Sequence, residues 1–282
     1  MTTKQPILVA LFLVVLGVWP AAAQQPGGSE YAPPKLADGT PDLQGIWEFS
    51  HYPNGTFRPA SPAASIEAYT PTPFRTGGPS LIVDPASGRI PYQPPALARK
   101  RSYTDLADHA PLSGIDPNAF CSPQGVPRSE YMPGGIQILQ EPHAVTIITE
   151  FGHNYRYIPT DGRPHLPKDL ALWQGDSRAH WEGNTLVIDV TNLNGKPWMD
   201  SVGNFTAEAF HVTERFTMLD ANSLRYEATV EDPTLYTRPW KMSFKMARKE
   251  PGYELMEHAC HEGEHSFEHI IEANPEVLKS VK

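Results

Sequence analysis

Phe210-His-Val-Thr-Glu-Arg-Phe-Thr-Met218, Leu224-Arg-Tyr-Glu-Ala-Thr-Val230 and Trp240-Lys-Met-Ser-Phe-Lys-Met246 succeed one another, with Asp220-Ala-Asn and Asp232-Pro between them. In each, bulky apolar side chains take every second place. Val212, Phe216 and Met218 share a face from which His211, Thr213, Arg215 and Thr217 are absent. Leu224, Tyr226, Ala228 and Val230 oppose Arg225, Glu227, Thr229 and Glu231, and Trp240, Met242, Phe244 and Met246 oppose Lys241, Ser243 and Lys245. Successive side chains of a strand point to opposite faces, so these are three strands with one buried face rich in aromatics and methionine.

Working outward, similar short runs cover Gly45–Phe49, Ile136–Gln140, Val145–Phe151, Tyr155–Ile158, Thr185–Thr191 and Tyr253–Ala259. Tight turns separate them, and no long helical period intervenes. That predicts about nine strands in an antiparallel meander, a sheet large enough to remove its edges by closing into a barrel. Residues 135–272 are expected to form this core and 273–282 a tail. Of 30 prolines, 19 fall in residues 24–134. Proline lacks an N–H and fixes φ, so this segment should be long loops wrapped over the barrel, with one strand near 45–50 and a short helix around 95–107.

Residues 1–23 read as a secretory signal: Lys4, an apolar run from Ile7 to Val18, then Ala21-Ala22-Ala23. The run is too short to span a bilayer. The formal charge of −9 argues against nucleic acid and against an anionic membrane surface. The expected protein is exported, periplasmic or secreted, with no membrane insertion. Cys121 and Cys260 then read as one disulfide, with two buried thiols as the alternative.

Glu214 is the most informative polar residue. Alternation places its carboxylate on the apolar face between Val212 and Phe216. A desolvated carboxylate is a candidate acid or base near neutral pH; the plainer reading is a structural glutamate paired with an arginine or a tyrosine hydroxyl. Glu257 follows the same logic on weaker alternation. His211 falls on the opposite face and reaches Glu214 only through a bulge. Trp198 and Asp200 lie on a turn-rich loop that could close over a ligand. Tyr155, Tyr157, Tyr226, Tyr236 and Trp240 could line a cavity, or simply fill the core. His261-Glu-Gly-Glu-His265 matches the zinc-protease pattern, but that chemistry needs a helix and this stretch has a central glycine.

Gly45-x-Trp47 is similar to the opening strand of lipocalin-like barrels. Pro41-Asp-Leu-Gln-Gly-Ile-Trp47, Cys121-Ser-Pro-Gln-Gly-Val-Pro-Arg128, Trp181-Glu-Gly-Asn-Thr-Leu-Val-Ile-Asp189 and Tyr236-Thr-Arg-Pro-Trp240 extend the likeness. Together they resemble a family of exported bacterial lipocalin-like, or calycin-like, proteins. The resemblance implies an all-β antiparallel lipocalin-like barrel with a long Pro-rich amino-terminal segment, and no particular reaction. His261 to His265 departs from that family's acidic, amide-rich pattern. The leading expectation is capture of a small apolar or aromatic molecule in the barrel lumen, without a cofactor. The alternatives are an acid/base isomerase, hydratase or lyase using Glu214 with Asp200 or His211, and, with least weight, a zinc hydrolase using His261 and His265.

Overall fold

Ten strands and one helix organise the chain in the computed structural model, which describes residues 31–51, 65–67, 79–105, 114–263, 265, 268–269 and 272. The expected signal at 1–23 and tail at 273–282 lie outside the described residues.

The strands are β1 (Gly45–His51), β2 (Ile82–Asp84), β3 (Ile136–Glu141), β4 (Ala144–Thr149), β5 (Asn154–Pro159), β6 (Asp176–Glu182), β7 (Thr185–Thr191), β8 (His211–Asp220), β9 (Ser223–Glu231) and β10 (Trp240–Arg248). Nine of them form a nearly closed antiparallel barrel in the order β5-β4-β3-β1-β10-β9-β8-β7-β6, with short β2 attached to β10. β5 and β6 lie side by side at the seam, where Arg156 Nη2 donates to Ser177 Oγ at 3.1 Å. Every inward residue expected on β8, β9 and β10 is buried, and its outward neighbours are not.

Two expectations fail for a topological reason. Tyr253–Ala259 is not a strand. β1 returns from far upstream to take the edge of β10, pairing Trp47 with Arg248 and Phe49 with Met246. With β9 on the other side, β10 has no edge left for a following strand. Glu257 is therefore exposed instead of inward. Conversely, β6 was not expected. Asp-Ser-Arg-Ala-His-Trp-Glu has little strand character, and Ala179 is its one buried apolar residue. It forms because the tight Gly183-Asn184 turn, with Gly183 at φ 58°, folds it onto apolar β7.

The Gly45-x-Trp47 pattern has a physical basis. The Arg248 guanidinium lies 4.1 Å from the Trp47 ring centroid and donates to the Gln44 carbonyl at 2.7 Å. A Cβ on Gly45, which sits at φ 136°, would collide with that guanidinium. Glycine here is what lets a cation stack on the buried indole.

The proline-rich segment contributes more than a wrap. Helix α1 (Pro94–Asp105) starts beside the Asp232–Tyr236 turn, where Gln93 N–H donates to the Leu235 carbonyl at 2.7 Å. Further on, the short turn Arg128-Ser-Glu-Tyr131 is buried at all four residues. The Tyr131 ring meets Phe244 of β10 edge-on at 6.0 Å. This turn plugs the barrel.

Candidate functional site

The lumen is filled by the protein's own side chains. Arg156 projects inward from β5 and forms an ion pair with Glu214 of β8 through both terminal guanidinium nitrogens. Its Nη1 also donates to Glu130 Oε1 of the plug at 2.8 Å. The Tyr226 hydroxyl donates to Glu214 Oε1 at 2.8 Å. Glu130, Glu214 and Tyr226 are 0% exposed and Arg156 5%. Burial, the largest effect, and the neighbouring Glu214 charge raise the Glu130 carboxyl to about 7 against the pull of Arg156. Burial alone would lower the Arg156 pKa, but the two carboxylates outweigh it and raise it. Burial and the Glu214 charge also hold the Tyr226 phenol well above its ordinary value. The arrangement satisfies a charge inside a barrel, which is the plainer of the two readings of Glu214. An acid with both oxygens engaged and no solvent contact has no place to meet a substrate.

The remaining expected lumen residues divide. Tyr236 and Trp240 are buried and pack edge-on at 5.8 Å as part of the core. Tyr155 is 72% exposed and Tyr157 52%, because on β5 the inward residue between them is Arg156. Period 2 applied to Asn-Tyr-Arg-Tyr-Ile-Pro could have shown this, since buried Ile158 shares its parity with Arg156.

His211 lies on the outer face, apart from Glu214. Its Nε2 is 2.6 Å from Asp189 Oδ1, while Asp189 Oδ2 meets His165 Nε2 at 2.8 Å. The hydrogen bond to Asp189 is the main reason the His211 pKa is raised. Asp200 is fully buried and serves its own loop. It accepts from the N–H groups of Ile66 at 3.0 Å and Val202 at 3.1 Å, and from Asn204 Nδ2 at 2.5 Å. Burial raises its pKa despite those bonds. His261 and His265 do not share a helix: residues 261–263 form a turn with Gly263 at φ 71°. Among the described residues no group of three or more His, Cys, Asp or Glu is placed to hold a metal ion.

One apolar cavity among the described residues lies outside the lumen. It measures about 830 Å³ and is walled by α1, residues 115–121, Trp173, the β7–β8 loop and the carboxy-terminal stretch. Among the described residues, no strand residue lines it. Tyr103, Phe120, Trp173, Trp198 and Phe205 supply aromatic surface. Tyr103 packs against Trp198 at 4.9 Å and edge-on against Phe205 at 5.7 Å. Trp198, expected on a ligand-covering loop, is thus part of this wall.

The wall is held from beneath by the barrel plug. Arg128 Nη1 donates to the Trp198 carbonyl at 3.2 Å, and the Tyr131 hydroxyl to the Met199 carbonyl at 2.6 Å. Arg128 also grips Asp116 through both terminal nitrogens at 2.7 and 2.8 Å, which seats residues 115–121. The Cys121–Cys260 disulfide ties the carboxy-terminal stretch to the same wall, bringing His261 and Glu268 to the cavity. Among the described residues, no helix is long and apolar enough to cross a membrane. A scan against protein-family models and a search of curated proteins both found no match.

Proposed function

We propose that the protein captures a small, largely apolar molecule, aromatic or polycyclic, in the cavity beside the barrel end. One observation carries this reading: an 830 Å³ hollow with five aromatic side chains in its wall, on a frame of strands and a disulfide. Small-molecule sites are typically concave, mostly apolar and about 300–1,000 Å³. The lumen, the site expected from the barrel alone, is taken up by Arg156, Glu214 and the plug. Capture takes place outside the cytoplasm on this reading. The amino-terminal apolar run and the disulfide support an oxidising compartment, and Gly45-x-Trp47 supports the likeness to exported lipocalin-like proteins.

The test is titration of the exported protein with phenylnaphthylamine, read by probe fluorescence and by quenching of Trp173 and Trp198. One saturable site is expected. Ala119→Trp, which fills the cavity from its wall, should abolish it. Binding unaffected by that substitution, or no binding at all, would remove the proposal. Mass spectrometry of whatever co-purifies should identify the natural occupant.

A further inference from the structure

The cavity wall is not uniformly apolar. Arg99 of α1 and Lys196 of the β7–β8 loop both line it. The Arg99 guanidinium lies 4.4 Å from the Phe205 ring centroid, and its Nε is 2.5 Å from the Tyr103 hydroxyl. Lys196 Nζ sits 5.9 Å from the Trp173 centroid. Among the described residues neither cation has a carboxylate partner. Of the acids nearby, Asp116 is held by Arg128, while Glu268, itself in the wall, has a histidine, His265, as its partner at 3.0 Å.

The context makes this pairing informative. Acids outnumber bases 32 to 23 over the chain. Lys100, Arg128, Arg163, Arg178, Arg215 and Arg238 are each held by a carboxylate, whereas other cations without an ion pair among the described residues, such as Arg225, Lys241 and Lys245, stand on the outward face of a strand and line no cavity described above. Two cations without a carboxylate partner, against the single wall carboxylate of Glu268, give this aromatic hollow an excess of positive charge in a protein of charge −9, which favours an anion over a cation. The Arg99 geometry adds direction. Stacking on Phe205 and the bond to Tyr103 restrict the guanidinium plane, while both terminal nitrogens keep their N–H groups. A planar fork of that kind suits two oxygens of one anionic group.

We infer that the ligand is an aromatic or polycyclic anion, carrying a carboxylate or sulfonate that Arg99 and Lys196 bind while the rings enter among Trp173, Trp198 and Phe205. This rests on the cavity being the binding site. It goes further in naming the charge and the residues that read it.

Anilinonaphthalene sulfonate and phenylnaphthylamine share a ring framework and differ in the anionic group, so the pair separates the two claims. The sulfonate should bind roughly tenfold tighter or better, and its affinity should fall with added salt. Arg99→Gln should lower sulfonate affinity roughly tenfold and Lys196→Gln by a smaller factor, each by clearly more than it lowers phenylnaphthylamine affinity. Equal affinity for the two probes, insensitive to both substitutions, would overturn the inference and leave an apolar site standing. Failure of both probes to bind would remove the site, and the inference with it. Sulfonate binding that survives Ala119→Trp would place the anion elsewhere and overturn the inference too.

Discussion

Replacing Glu130 by glutamine asks whether the barrel interior can hold two ionised acids on one arginine. Glu130 and Glu214 both contact Arg156, and all three are sealed from water. Glu130 Oε2 has no hydrogen-bond partner among the described residues, so the charged form is poorly solvated. Its pKa is raised from 4.5 to about 7. An acid whose folded pKa exceeds its unfolded value leaves stability intact below the unfolded pKa, where both states are protonated. As pH climbs the unfolded chain ionises first, and stability falls until the folded group ionises too. Above about pH 7 the loss is constant. A rise of this size corresponds to about 3 kcal/mol. Glutamine keeps the acceptor for Arg156 and Ser129 but cannot ionise. Urea unfolding of wild type and Glu130→Gln from pH 4.5 to 8 reads the effect, because titrations outside the Glu130–Arg156–Glu214 group cancel in the difference. The variant should gain about 3 kcal/mol on wild type across that window. A flat difference would mean Glu130 titrates normally. A wild type that gains on the variant as pH rises would mean Arg156 stabilises both charges, and the dry-interior account would fail.

Glu214→Ala should destabilise by about 3 kcal/mol, since it takes from buried Arg156 the carboxylate that meets both its terminal nitrogens and leaves Glu130 as its one acidic partner, whereas Tyr226→Phe, removing one hydrogen bond to a charged acceptor, should cost about 2 kcal/mol; equal effects in chemical denaturation would contradict the ion pair as the larger contribution. Replacing Cys121 and Cys260 by serine opens a loop with a sequence separation of 139, and should lower stability by about 4–5 kcal/mol on the chain-entropy view. It should also weaken cavity binding, because His261 and Glu268 are no longer tied to the wall; unchanged probe affinity would show that the disulfide serves the fold alone. His211 has a raised pKa, so its contribution is complete below about pH 6.5, its unfolded value, and is lost as pH rises through the folded one. His211→Gln should therefore lose less stability than wild type on going to pH 8, and NMR titration should place His211 above its ordinary value.

How much of this was legible in the chain differs element by element. The three alternating runs of β8, β9 and β10 revealed their buried faces, and Glu214 among them, because period 2 is a local property. The same rule was available on β5, where it makes Arg156 the inward residue and Tyr155 and Tyr157 outward ones. Asp176–Glu182 could not be read as a strand, since its reason for being one is the neighbouring β7 and not its own composition.

Residue pattern alone settled the all-β class, the inward side of the last three strands, and an acid among them. It also marked Cys121 and Cys260 as a pair to be joined. Folding decided the rest: that β1 closes on β10 and leaves Tyr253–Ala259 without an edge, that Arg128–Tyr131 plugs the lumen, and that the open hollow lies outside it. Alternation reports a neighbour two residues away. A cavity built from α1, two loops, Trp173 and a disulfide-tethered stretch has no period to read, because its walls meet only through contacts between distant parts of the chain.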